Sequence, residues 1–316
     1  MKKFLKKIRQ KVLLLMLVLA LLIGGNICVN YNHAEDFPAT LIDKYQRLEA
    51  LKDQRKLIIT GGSSSSYSIN SLQLQETFKL PVVNTALAMS LGSNFHLNLI
   101  KDYLKKGDVV LYIPEYEFYY GRNNGDDFLY TTGFYCPKML KDFSLIQQKE
   151  MFRRALKLSF NFYKGRILRG FKSKAKKENG QYSRLAINEL GDNMSLLNKT
   201  NTLIKPSSKN RYQKLATKEV SQVFIDKLKE FSNLCQLKGV TFLIAFPPLE
   251  ESQFSNHFSK DIDVINKKYE FPFIGHPKDD VYEIDLFYDT SYHLIGKGRT
   301  LRTNKLIERI QNEGVF

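Results

Sequence analysis

The apolar run Leu57-Ile58-Ile59 stops abruptly at Gly61-Gly62, and four serines, Ser63 to Ser66, follow. A short apolar run cut off by glycines is the pattern of a buried strand turning sharply into a loop. Glycine permits the tight turn and removes side chains that would block approach to the next residue. In an open α/β sheet this position is the carboxyl edge, where such folds carry their sites. The feature therefore predicts a buried parallel strand with a hydroxyl displayed at its end.

The rest of the chain carries the same punctuation. Pro81-Val82-Val83-Asn84 reads as a short second strand. Val109 to Ile113, closed by Pro114, is a third, apolar throughout as a buried parallel strand should be. Val240 to Phe246, stopped by Pro247-Pro248, and Val281 to Leu286 complete the set. Helical spacing fills the intervals: the stretch from Ser68 to Phe78, Gly92 to Lys106, Thr217 to Lys238 with Gly239 as its stop, Ile262 to Tyr269, and Gly298 to Asn312. Strands alternating with helices predict an α/β fold with a mostly parallel sheet covered on both faces. Gly61-Gly62 has neither Rossmann spacing nor a Walker lysine, so no nucleotide cofactor is expected.

The ends set the location. Lys2, Lys3, Lys6, Lys7, Arg9 and Lys11 come with no acidic residue before Glu35. The 18-residue run Val12 to Val29 follows, broken only by Gly24, Gly25 and Asn26. That length is near the lower limit for crossing a bilayer. The basic flank keeps the N-terminus cytoplasmic and puts the remainder on the extracytoplasmic side. A cleaved signal peptide is the rival reading, but no small-x-small site follows, which favours a single-pass anchor. The expected organisation is a basic flank and anchor over residues 1–30, a linker helix over 31–55, and one α/β domain over 56–316.

That domain carries an insertion at about 116–215, rich in Tyr, Phe, Lys and Asn, that breaks the βα rhythm. Tyr119, Tyr120, Tyr130 and Tyr135 within it suit stacking on sugar rings or a private core equally well. The net charge is +16, and Arg153 to Lys214 contributes 16 Lys/Arg against Glu178, Glu189 and Asp192. On an exported, tethered domain this favours anionic headgroups or an acidic glycan over nucleic acid. For Phe171 to Gly180 a merely solvated basic loop is the simpler reading. Three cysteines, Cys28, Cys136 and Cys235, make no disulfide framework, and five scattered histidines give no metal spacing.

Far downstream, Asp289-Thr290-Ser291-Tyr292-His293 places a carboxylate close to an imidazole. A serine after the first strand with an Asp/His pair near the C-terminus suggests a nucleophile, its base and an orienting group.

Together the blocks "IITGGSSSSYSINS", "PVVNTALAMSLG", "KKGDVVLYIPEYEFYY" and "FYDTSYHLIGKG" resemble the SGNH/GDSL hydrolase superfamily, over about Lys56 to Ile310 without the insertion. More narrowly they resemble its membrane-anchored branch related to polysaccharide O-acyltransferases. The resemblance implies a flavodoxin-like three-layer sandwich. It implies Ser63 as nucleophile, with Ser64 if the register shifts by one, His293 as base and Asp289 as orienter. The Asp-to-His spacing is one residue longer than the family's, so Asp285 is the alternative orienter. The oxyanion donors would be the amide of Ser63 and groups near Ala86 or Gly92. The family's asparagine after the third strand is replaced by Pro114-Glu115-Tyr116. The implied activity is serine acyl transfer on an exported polysaccharide, as O-acetyltransferase or esterase, without metal or cofactor. An acyl donor, a glycan acceptor and a membrane-bound partner that passes acyl groups across would serve it. The alternative is a non-catalytic glycan-binding or assembly protein on the same frame.

Overall fold

The computed structural model describes residues 2–30, 34–169, 180–203, 211–215 and 217–316. Helix α1, Lys2–Asn30, leads the chain. Helix α2, Thr40–Ala50, precedes strand β1, Leu57–Gly61, which feeds α3, Ser63–Ser68, and α4, Ser71–Phe78. Strand β2, Val82–Asn84, and α5, Ser93–Lys101, lead to β3, Val109–Ile113. Next come α6, Tyr116–Tyr119, α7, Asp127–Tyr135, α8, Leu145–Arg169, and α9, Arg211–Leu215. Helix α10, Gln222–Lys238, returns the chain to β4, Thr241–Ile244. The C-terminal part holds β5, Leu249–Glu250, α11, Asn256–Tyr269, β6, Val281–Tyr282, and α12, Gly296–Asn312.

Strands β1 to β4 form one parallel sheet in the order β2-β1-β3-β4. Successive strand residues face opposite ways, and each set meets its own helices. Ile58, Val110, Tyr112 and Phe242 join Leu41, Tyr45, Phe224 and Leu228 on one face. Leu57, Ile59, Val109, Leu111 and Leu243 join Leu74, Phe78, Leu306 and Ile310 on the other. Fully burying one such aliphatic side chain is worth roughly 1.5–3 kcal/mol, so two-sided burial of every central strand residue dominates the stability. At the amino edge, Lys56 and Asp108 are both buried and ion-paired at 2.8 Å, and the Lys56 amide donates to the same carboxylate. This pair pins the register of β1 against β3 at the end away from the serines.

The structure differs from the sequence expectations at several boundaries. The Val281 to Leu286 segment is only a two-residue strand followed by a 3₁₀ turn over Ile284–Leu286, pairing with β5 in a separate two-stranded ladder. Two neighbouring residues alone, Val281 and Tyr282, find a strand partner, so the apolar pattern overstates its length. The helix expected from Ile262 starts earlier, at Asn256, because Ser255 caps it by accepting the His257 amide. Helix α2, within the segment read as a linker helix, packs into the core: Leu41, Tyr45 and Leu48 are fully or almost fully buried. Its Lys44 is also buried, donating to the Asn84 and Gly191 carbonyls at 2.8 and 2.7 Å, and burial pushes its pKa down to about 7. The basic segment 171–179 lies outside the described residues.

Candidate active site

The strand order places β1 beside β3 at the centre of the sheet, with connections leaving to opposite sides. Such a switch point opens a crevice at the carboxyl ends. Both strand ends are shaped for close approach. Gly61 has φ +151°, and a Cβ there would run into the Ile113 carbonyl of β3. A Cβ at Gly62 would overlap the Glu115 carboxylate. Glycine is therefore required at both positions on steric grounds.

Ser63 is the first residue of α3, so its amide has no partner in the helical ladder. Its Oγ donates to His293 Nε2 at 3.0 Å, and His293 Nδ1–H donates to Asp289 Oδ1 at 2.9 Å. The carboxylate selects the Nδ1–H tautomer and leaves Nε2 as the acceptor facing the serine. His293 is almost completely buried, and the Tyr67 ring lies against it at 4.2 Å between centroids. A tight loop brings Asp289 and His293 together. Phe287 and Leu294 form an antiparallel bridge, the Tyr288 amide donates to the His293 carbonyl, and Thr290 Oγ1 accepts the His293 amide. This closed loop brings Asp289 and His293, four residues apart, into hydrogen-bond contact.

Two groups at the site come from the region read as an insertion. Gln181 Nε2 and Tyr182 OH donate to Asp289 Oδ2 at 2.8 and 3.0 Å. Burial alone would raise the Asp289 pKa, but the hydrogen bond and charge of His293, with the hydrogen bonds of Gln181 and Tyr182, hold it below its usual range. The Tyr182 phenol is pushed up by burial and by Asp289. The carboxylate is thus held as an anion with both oxygens engaged.

Glu115 stands two residues beyond the end of β3 and is fully buried. Its Oε1 accepts the Ser64 amide at 2.8 Å and lies 3.5 Å from Ser63 Oγ. It braces the turn that presents Ser63. A second brace is Asp192, also buried, which accepts from the Ser71 amide, Ser71 Oγ, Asn84 Nδ2 and Arg299 at 2.8, 2.5, 2.9 and 2.7 Å. It ties the start of α4, the end of β2 and α12 into one unit. Arg302 of α12, also buried, donates to Ser68 Oγ at 2.6 Å and to the Phe246 carbonyl at 2.7 Å, fixing the far end of α3.

Of the residues singled out in the sequence, Ser63, His293 and Asp289 are brought together. Ser64 is buried, with its amide on Glu115 and, among the described residues, no hydrogen-bond partner for its hydroxyl. Asp285 is exposed and lines a separate groove with Lys297 and Thr300. The Ala86 amide donates to Asn84 Oδ1 at 3.1 Å, and the Gly92 amide to the Met89 carbonyl at 2.9 Å, so each already has an acceptor. Among the described residues no group of three His, Cys, Asp or Glu side chains could hold a metal.

Sequence reasoning missed Gln181, Tyr182, Tyr67, Asp192 and Glu115 as parts of this site. Glu115 carried a usable signal, since it follows a strand end at the same sheet edge as Ser63. Tyr67 lies one turn after Ser63 on α3, so helical spacing already placed it there, whereas Gln181, Tyr182 and Asp192 meet the site through long-range packing. Comparison with protein-family models, with curated protein sequences and with solved structures returns no match for this chain.

Proposed function

We propose that this chain is a serine acyl-transfer enzyme of SGNH/GDSL type, tethered to the membrane and acting on an exported polysaccharide. The observation that carries the reading is the relay Ser63–His293–Asp289, with links of 3.0 and 2.9 Å at the carboxyl edge of a parallel sheet. The strand order β2-β1-β3-β4 supports a flavodoxin-like frame of three layers. Helix α1 contains a span, Lys3–Asn26, long and apolar enough to cross a bilayer. The basic residues before it favour a cytoplasmic N-terminus and an extracytoplasmic site.

The chemistry runs in two halves. His293 Nε2 takes the Ser63 proton as Oγ attacks an acyl carbonyl, and Asp289 stabilises the resulting imidazolium. The Ser63 amide, at the head of α3, faces the developing oxyanion. The leaving group takes the proton from His293, and an ester on Ser63 remains. A glycan hydroxyl, deprotonated by His293, then resolves the ester as O-acyltransfer, while water gives esterase activity. The donor outside the cell is supplied by a membrane partner that passes acyl groups across.

A second reading, a glycan-binding protein on the same frame, draws on one observation. The Ala86 and Gly92 amides are already engaged, and a carboxylate, Glu115, borders the nucleophile where an additional oxyanion donor would help. Turnover decides between them. The full chain in detergent is given p-nitrophenyl acetate with and without O-deacetylated polysaccharide. The enzyme reading expects acetate release or glycan acetylation that Ser63→Ala abolishes. Glycan retention with no turnover by the wild-type protein would establish the binding reading instead.

A further inference from the structure

Helix α8 carries surface that the proposed chemistry does not use. It is 25 residues long. One face is docked on the domain: Ala155 is buried, Met151 packs against the main core, and Arg154 pairs with Asp127 of α7 and covers the Tyr130 ring. A second face is apolar and turned outward. Leu145, Phe152, Phe160 and Ile167 recur at spacings of seven and eight, with Leu156 and Tyr163 half-buried between them. At 3.6 residues per turn they fall within an arc of about 80°. Leu145, Phe152, Phe160 and Ile167 are 82, 54, 69 and 83% exposed, more than a soluble surface helix ordinarily shows along one line. Arg153, Lys157 and Lys164, all exposed, form the adjoining strip.

The same helix touches the anchor. Asn26 Nδ2 of α1 donates to Ser159 Oγ of α8 at 3.2 Å, both residues buried. Gly25 lies so close to the Tyr163 hydroxyl that a Cβ would collide with it. Residues 4–18 of α1 are exposed throughout, so the domain meets the anchor near its C-terminal end. The apolar run of α1 ends at Val29, three residues beyond Asn26, or about 5 Å along the axis. The middle of α8 is therefore level with the boundary between acyl chains and headgroups. An outward apolar stripe with a cationic strip beside it suits that layer, where lysine and arginine stems reach up to phosphate.

We propose that α8 is an interfacial helix. It lies in the extracytoplasmic leaflet beside α1, its apolar stripe in the acyl boundary and Arg153, Lys157 and Lys164 on anionic lipid phosphates. The placement rests on α1 spanning the bilayer, as in the proposed function. It holds the domain at a fixed height and orientation, with the helix as a second foot. The occupant of the stripe is the lipid surface, argued from continuity with the anchor and from charge.

The chain contains no tryptophan, so single-tryptophan variants report one position each. Phe160→Trp, Leu17→Trp and Leu237→Trp are made in the full chain and reconstituted in phosphatidylcholine/phosphatidylglycerol vesicles. Lipids brominated near the headgroup or near the chain end act as depth-specific quenchers. Trp at 160 should show blue-shifted emission and lose most of its intensity to the shallow quencher, Trp at 17 to the deep one, and Trp at 237 to neither. Exchanging Arg153, Lys157 and Lys164 together for Gln should reduce the quenching at 160 gained from adding phosphatidylglycerol. Quenching at 17 without quenching at 160, or deep quenching at 160, overturns the interfacial placement while the anchor stands. Absence of quenching at 17 overturns the anchor, and the placement with it.

Discussion

The α/β frame and the region between β3 and α10 supply different things to the same site. The frame supplies the proposed relay: Ser63 follows β1, and His293 and Asp289 precede α12. The intervening region supplies the groups that hold them: Gln181 and Tyr182 on Asp289, and Asp192 at the junction of α4, β2 and α12. Frame residues are placed by local constraint, a glycine turn and a closed loop. The others are placed by packing across more than a hundred residues of sequence. The contrast teaches that a reactive constellation can be local in origin while its rigidity is borrowed from elsewhere.

The sharpest break is within the frame. Ser63→Ala should abolish labelling by a fluorophosphonate, and Asp289→Asn should slow it by about ten-thousand-fold, because the amide no longer selects the Nδ1–H tautomer of His293. Stopped labelling time courses read both.

Next comes the brace. Asp192→Asn should lower stability by about 3–5 kcal/mol, because Arg299 is left buried without its counter-charge. The urea midpoint measures this. Labelling of the folded fraction should change far less than in Asp289→Asn, since Asp192 does not touch the reacting atoms.

A frame residue outside the site gives the pH test. His96 is fully buried, with Nε2 on the Ala88 carbonyl, and burial lowers its pKa to about 4 from an ordinary 6.5. Between those values the unfolded chain binds the extra proton and the folded chain does not. Stability is full above pH 6.5 and falls as pH drops towards 4, by about 3 kcal/mol at 1.36 kcal/mol per unit. His96→Gln should flatten that slope in urea titrations run at successive pH values.

The smallest effect sharpens the comparison. Tyr182→Phe removes one hydrogen bond to Asp289, worth about 1 kcal/mol, and should slow labelling about fivefold with little change in melting temperature. A loss as large as that of Asp289→Asn would mean that the intervening region, not the frame, sets the reactive geometry.

The comparison also explains what was legible beforehand. The β1 turn announced itself because Gly61 and Gly62 stand where β3 and Glu115 leave no room for a Cβ. The apolar runs of β1 and β3 are buried on both faces, so composition alone marks them. Asp289 and His293 are four residues apart, close enough to be read as a pair. Gln181 and Tyr182 had no such marker, since nothing local distinguishes a glutamine or tyrosine that reaches a carboxylate 107 or 108 residues away. The helical spacing of α2 was legible in the segment read as a linker helix, but its packing into the core and the burial of Lys44 depend on partners distant in sequence. The engagement of the Ala86 and Gly92 amides depends on turns that no short motif encodes.

The central claim, that Ser63 is a nucleophile activated by His293, is tested most directly by the site of covalent modification. The full chain is treated with a fluorophosphonate and the adduct located by peptide mass spectrometry, in wild type and in His293→Ala. The account predicts an adduct on Ser63 in wild type that is lost in the variant. An adduct on Ser64, or none on a folded wild-type protein, would contradict it.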